Sequence, residues 1–234
     1  VAAGLALTAL GLASCEREST EPRAQAYVLV DLSQTWHNDA ARARNLDVLT
    51  EIGGAIAAIA DERDPPVAVQ YYAIGEASLE REPLCDALYR PSVVKTAKAA
   101  PRYAVRKPRA LRDYLTVGCP QKVLTNPPEP RTEITTAVAT VSRQPSAERA
   151  DRFLVIASDF MEDTPASDGE AVDLTGFKVL MVYRPLAEDR LDPRAMSRRV
   201  EAWRRKFAGW GAAVEAMPDT ALKRSTIETF LWNE

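Results

Sequence analysis

The sequence predicts a three-layer, doubly wound α/β fold with a mainly parallel, Rossmann-like sheet. Three observations carry that reading. Residues 26–30 and 153–157 are unbroken apolar runs, and 177–183 is apolar but for Lys178, as strands covered on both faces are. Segments with apolar residues at spacings of three and four lie between them. The two kinds of segment alternate along the chain, which is the order that winds into a parallel sheet with helices on both faces.

Composition sets the outer limits. The chain has 234 residues, 46% hydrophobic and 27% charged, with 30 Lys plus Arg against 33 Asp plus Glu and a net charge of −3. That is enough apolar material for one core of about 200 residues, and it excludes the disordered and fibrous classes. The near-balanced charge provides no basic field for nucleic acid. One histidine, His37, and three cysteines cannot assemble a His- and Cys-rich zinc site. No Gly-x-Gly-x-x-Gly or Walker-type run is present, so a bound nucleotide has no cradle.

Residues 1–14 are uncharged and too few to cross a hydrocarbon core, which takes about 20 residues. They read as the apolar part of a secretory signal whose beginning is missing. The stretch Leu12-Ala13-Ser14-Cys15 resembles the lipobox of bacterial lipoproteins. That resemblance implies cleavage before Cys15 and a lipid anchor on its sulfur, in the cell envelope and facing the periplasm. Glu16 in place of Asp makes the outer membrane the default destination. Residues 15–25 form a polar tether, and a single domain is expected over 26–234. Export to an oxidising compartment makes a disulfide between Cys85 and Cys119 the leading reading, with two buried free thiols as the alternative.

The elements follow in order. Strand 26–30 ends at Asp31. A helix over about 38–61 carries Leu46, Leu49, Ile52, Ile56 and Ile59 and stops at Asp64-Pro65-Pro66. Residues 67–74 form the second strand, and 77–79 suggest an antiparallel partner beyond Gly75. Residues 80–130 are poorly patterned: they hold both interior cysteines, a helix near 108–115 and the Pro-rich loop 125–130. Long irregular segments of this kind are usually functional or stapled. A helix over 133–142, strand 153–157, strand 177–183, helix 193–210, strand 213–217 and a last helix near 222–232 complete the chain. In helix 193–210, Met196, Val200, Trp203, Phe207 and Trp210 form the packing stripe. Arg198, Arg199, Arg204, Arg205 and Lys206 then read mostly as its solvated face.

In such sheets ligands bind beyond the carboxyl ends of the strands, at the point where strand order reverses. The first strand delivers Asp31-Leu32-Ser33-Gln34-Thr35 to that edge, the loop before the middle helix delivers Thr132, and a later strand delivers Asp159. Asp-x-Ser-x-Thr after a first strand, followed by a loop Thr and a strand-end Asp, resembles the metal-ion-dependent adhesion site of von Willebrand factor type A domains. The similarity in element order covers most of 26–232. The resemblance implies Mg²⁺, or Mn²⁺ or Ca²⁺, held by Asp31, Ser33, Thr35, Thr132 and Asp159. It further implies a protein partner that presents a carboxylate to the ion, and a site for recognition without bond-breaking. Magnesium suits such a set because it is hard and accepts hydroxyl and water oxygens.

Two positions depart from the family, which has glycine where this chain has Arg131 and Phe160. A guanidinium beside a divalent cation is unfavourable unless it points away. Asp31 and Asp159 also read as helix or turn caps, Ser33 and Thr35 as caps of the following helix, and Thr132 as part of the first turn of its own; a metal-free scaffold or assembly protein of the same fold is the alternative function. A periplasmic hydrolase using Ser33 or the metal edge ranks below both; a triad of Ser33, His37 and an aspartate is disfavoured because no nucleophile elbow surrounds the serine and His37 reads as solvent-facing. The acidic stretch 161–164, with Asp168 and Glu170, borders the site and reads as a plain surface loop, with tuning of the partner's charge as the alternative.

Overall fold

The computed structural model describes residues 22–63, 66–75, 82–90, 104–105, 107–147, 150–163, 171–186, 189 and 191–232. The signal segment, Cys15, the expected strand at 77–79, Asp168 and Glu170 lie outside the described residues. In chain order the elements are β1 (Ala24–Asp31), α1 (Arg42–Arg63), β2 (Val67–Ile74), β3 (Cys85–Tyr89) and β4 (Ala104–Val105). There follow α2 (Pro108–Asp113), a π-helical turn (Tyr114–Gly118), α3 (Cys119–Leu124) and α4 (Ile134–Ser142). The chain ends with β5 (Asp151–Ser158), β6 (Phe177–Tyr183), α5 (Pro193–Gly209), β7 (Ala213–Pro218) and α6 (Arg224–Trp232).

The seven strands lie in the order β4-β3-β2-β1-β5-β6-β7. All neighbours are parallel except β2 and β3. This is a doubly wound mainly parallel sheet, as the alternation predicts. β1 sits at its centre, between β2 and β5, and begins two residues before the predicted start because Ala24 pairs with both Val67 and Asp151. Its side chains divide between two layers. Ala24, Ala26, Val28 and Val30 join a core with α1, α2, α3 and α6, while Tyr27 and Leu29 join one with α4 and α5. From α1, Leu49, Ile52 and Ile56 are buried in the first core. Each contributes about 1.5–3 kcal/mol over exposure.

The poorly patterned region resolves into a staple and a helix. β3, which sequence periodicity does not reveal, pairs antiparallel with β2 from Tyr71↔Cys85 to Val67↔Tyr89. Cys85 and Cys119 are joined by a disulfide that ties β3 to the start of α3. The helix predicted near 108–115 runs on through the π turn into α3. Pro120 lacks the N–H that Thr116 would otherwise receive four residues back, and the Thr50 hydroxyl of α1 supplies a donor to that carbonyl instead, at 3.1 Å. The two helices meet so closely that a Cβ on Gly53 would lie 2.1 Å from the Leu115 carbonyl oxygen. Only glycine fits there.

Candidate functional site

The carboxyl ends of β1 and β5 lie side by side at the sheet's centre, where the winding direction changes. Asp31 is the last residue of β1, and Asp159 follows the last residue of β5. Both are almost completely buried. Asp31 accepts hydrogen bonds from the Ser33 N–H at 2.8 Å and from the Ser158 hydroxyl at 2.6 Å. Asp159 accepts from the Met161 N–H at 2.9 Å and from the Thr35 hydroxyl at 2.6 Å. The Ser33 and Thr35 hydroxyl oxygens are 3.0 Å apart. Thus four of the five predicted ligands form one connected cluster.

Two buried carboxylates close enough to repel one another carry an electrostatic cost. Burial first, and then the Asp159 charge, push the Asp31 carboxyl up to about 6, against hydrogen bonds from Ser158 and Ser33 that pull it down. A cation would relieve that repulsion. Oxygens about 2.0–2.1 Å from a magnesium ion and at right angles to each other lie about 2.9 Å apart, so the Ser33–Thr35 separation suits adjacent ligands. Among the described residues no three His, Cys, Asp or Glu side chains gather around one point. The donor set is two carboxylates with neutral hydroxyls, which suits a hard cation and not zinc.

The fifth residue arrives on a loop. Thr132 is buried and lines a cleft of about 480 Å³ together with Ser33, Thr35, Glu129, Met161 and Asp163. Its N–H donates to Asp163 Oδ2 at 2.8 Å, and its carbonyl accepts from the Asp163 N–H at 3.1 Å. Glu162 Oε1 accepts from the Thr135 N–H at 2.7 Å. Glu162 and Asp163 therefore form a clasp on the start of α4, where free N–H groups favour carboxylates, and are not the plain surface loop expected. The Pro-rich loop closes the other side. Glu129 donates its N–H to the Leu32 carbonyl at 2.8 Å and forms a parallel bridge with Ser33. Its side chain occupies the space that a Cβ on Gly75 would need.

The two departures from the family pattern resolve differently. Arg131 is exposed, so water and salt screen its charge. Phe160 has φ of 60°, the only non-glycine residue with positive φ among those described. The position keeps the backbone shape that favours glycine while holding an aromatic ring. That ring is buried and tilted against Trp203 at 6.1 Å.

His37 is not the solvent-facing residue expected. It is buried, and its Nε2 pairs with the Asn126 carbonyl at 3.1 Å, because the loop 125–130 folds over it. Ser33 Oγ pairs with Thr35 and not with His37, so no hydrolytic pair forms between them. His37 lines a second hollow of about 580 Å³ that shares Gln34 and Pro128 with the first. The next residue back, Trp36, lies beneath the Arg184 guanidinium at 4.3 Å, and its carbonyl accepts from Asn45 at 2.8 Å. Arg184 in turn donates to Asp219 at 2.6 Å and to Asn45 at 2.8 Å. The solvated-face reading of α5 also fails at two residues. Arg199 donates to the Asp159 carbonyl, and Lys206 donates to the Thr135 hydroxyl.

No protein-family model matches the sequence, and no curated protein is similar to it in sequence. Several solved structures overlay on it. Proximal thread matrix protein 1 from the mussel byssus is 12% identical over 90% of this chain and 46% of its own, with a TM-score of 0.44. The pilus adhesin SpaC from Lactobacillus rhamnosus GG is 10% identical over 91% of this chain and 29% of its own, at 0.45. The conserved hypothetical protein BatB from Bacteroides thetaiotaomicron is 11% identical over 89% of this chain and 97% of its own, at 0.41. The chain thus spans less than half of the mussel protein and under a third of the adhesin. Overlays this loose leave the fold to stand on the chain's own sheet order. That order, with the motif residues gathered at one edge, is the von Willebrand factor type A-like fold that the motif implies.

Proposed function

We propose that this domain recognises a protein partner through a divalent cation held by Asp31, Ser33, Thr35, Thr132 and Asp159. One observation carries the reading: the like-charged, buried Asp31 and Asp159 are tied into one cluster with Ser33 and Thr35, and Ser33, Thr35 and Thr132 line one cleft. Mg²⁺, Mn²⁺ or Ca²⁺ bound there would offer an electrophilic point to a carboxylate of the partner. The protein's own part is to hold the oxygens ready. Ser33 N–H and Ser158 fix Asp31, Met161 N–H fixes Asp159, and the Glu162–Asp163 clasp holds the loop carrying Thr132. Met161, 42% exposed, and Leu186 give the cleft an apolar wall for the side chains flanking such a carboxylate.

On this reading the chain is an envelope lipoprotein, anchored through Cys15 and facing the periplasm, with the outer membrane as the default destination. No helix among the described residues is long and apolar enough to cross a membrane. Expression of Cys15→Ser in a bacterium tests it: the variant is expected in the soluble or unprocessed fraction, and normal membrane partitioning refutes the anchor.

The metal-free scaffold reading is favoured by a different fact. Every carboxylate oxygen of Asp31 and Asp159 already accepts a hydrogen bond from within the chain. Thermal unfolding of the full chain with and without millimolar cations separates the two. Saturation to a hundred times the dissociation constant stabilises by about 2.7 kcal/mol. The cation reading predicts a rise that Asp31→Ala abolishes, and the scaffold reading predicts none.

A further inference from the structure

We infer that α5 is the template for the later half of the site, and that Arg199 is a positioning residue for Asp159. For cation affinity this inference rests on the function proposed above.

Arg199, Trp203 and Lys206 are spaced by four and three residues, so they share one side of α5. Each bonds a residue in the site's loops or in the first turn of α4. Arg199 Nε donates to the Asp159 carbonyl at 2.9 Å, while its Nη2 reaches Asp189 Oδ2 at 2.7 Å. Trp203 Nε1 donates to the Phe160 carbonyl at 3.0 Å. Lys206 Nζ donates to Thr135 Oγ1 at 2.7 Å and lies 3.6 Å from Glu162 Oε2.

The first two bonds pin successive carbonyls on either side of the residue with positive φ. A segment held at an unfavourable φ relaxes unless its surroundings over-determine it, and here a guanidinium and an indole do so. With those peptide planes fixed, the Asp159 carboxylate points at Thr35 and accepts the Met161 N–H. Lys206 acts on the other contributor, since Thr135 and Glu162 bracket the loop that presents Thr132. Arg199 itself is oriented from behind. Asp189 is buried and also accepts the Leu186 N–H at 2.7 Å, so the guanidinium is gripped at one end and delivers its Nε–H at the other. A single helix thereby sets both later ligands against the Asp31–Thr35 loop.

The test uses the full chain as wild type, Arg199→Met and Arg199→Lys, with two readouts. The first is Mn²⁺ affinity, from the electron paramagnetic resonance signal of the free ion. The second is amide hydrogen exchange in chelator at Phe160, Met161 and Ser33. Arg199→Met is expected to weaken Mn²⁺ binding at least tenfold and to speed exchange at Phe160 and Met161 at least tenfold, while Ser33, held by Asp31, is unchanged. Arg199→Lys has one ammonium for two distant acceptors and is expected to fall between. A merely structural role would move all three amides together.

Wild-type affinity with wild-type exchange at 160 and 161 in Arg199→Met overturns the inference. If Arg199→Met does not fold, Arg199→Lys decides: intermediate values support the inference and unchanged values overturn it. If the wild type binds no Mn²⁺, the cation reading falls and the exchange pattern alone decides the positioning role.

Discussion

Thr35 Oγ1 donates to Asp159 Oδ2 over 2.6 Å, joining residues 124 positions apart. The bond spans the sheet's switch point, so the loop after β1 and the loop after β5 are one structure. Asp31 lies beneath it, with its charge raised in energy by burial and by Asp159.

That position predicts a pH dependence. The folded Asp31 carboxyl titrates near 6, above its ordinary 3.8, so the folded chain holds this proton more tightly than the unfolded chain does. Its contribution to stability is most favourable below about pH 4 and is lost as pH rises through about 6. Two pH units correspond to about 3 kcal/mol. In chelator at pH 7.5, Asp31→Asn is expected to be more stable than wild type by up to that amount, with the gap closing near pH 4. Urea unfolding at both pH values checks it, and an Asn variant less stable at pH 7.5 contradicts it.

Phe160 makes a prediction of order. Removing the ring from a buried site costs about 3–5 kcal/mol, whereas positive φ costs any side-chain-bearing residue about 1–2 kcal/mol. Both Phe160→Ala and Phe160→Gly are therefore less stable than wild type. The Gly variant is expected to be the more stable of the two by about 1 kcal/mol, reversing the usual preference for alanine, as denaturant midpoints will show.

The Arg184 network predicts a large loss. Asp219 lies under both Arg184 and Arg44, at 2.6 and 3.0 Å. Asp219→Ala leaves the largely buried Arg184 without its carboxylate, which costs about 3–5 kcal/mol. Because Arg184 covers Trp36, next to Thr35, the near-UV circular dichroism of the tryptophans should change as well. A loss below about 1 kcal/mol would show that the pair is not held in solution.

The disulfide closes a span of 34 residues. The chain-entropy relation gives about 3–4 kcal/mol for such a loop. Replacing both Cys85 and Cys119 with serine is expected to lower unfolding stability by roughly that amount, read from denaturant curves under oxidising conditions.

The parts of the fold legible in the sequence are those where one physical rule acts alone. β1, β5 and β6 are buried on both faces, so their apolar runs read directly. β3 has Asp86 within it and sits near the sheet edge, so its pattern is diluted. The helix 108–124 was obscured by Pro120, whose missing bond is replaced by Thr50, 66 residues from Thr116. Of the site, Asp31, Ser33, Thr35 and Asp159 were legible because strand ends deliver them. Arg199, Lys206, Glu162 and Asp163 were not. Their partners are backbone groups and hydroxyls on distant loops, and periodicity ranks such residues only as charged. Phe160 carried a signal in the family's glycine, which marks a positive φ.

The most direct test of the central claim is calorimetric titration of Mg²⁺ into the full chain, alongside Thr35→Val and Asp159→Asn. We predict one ion bound per wild-type chain, with affinity at least tenfold weaker in either variant. Absence of binding to the wild type at millimolar Mg²⁺, Mn²⁺ and Ca²⁺ would contradict the account and leave the cleft as a surface for direct, metal-free contact.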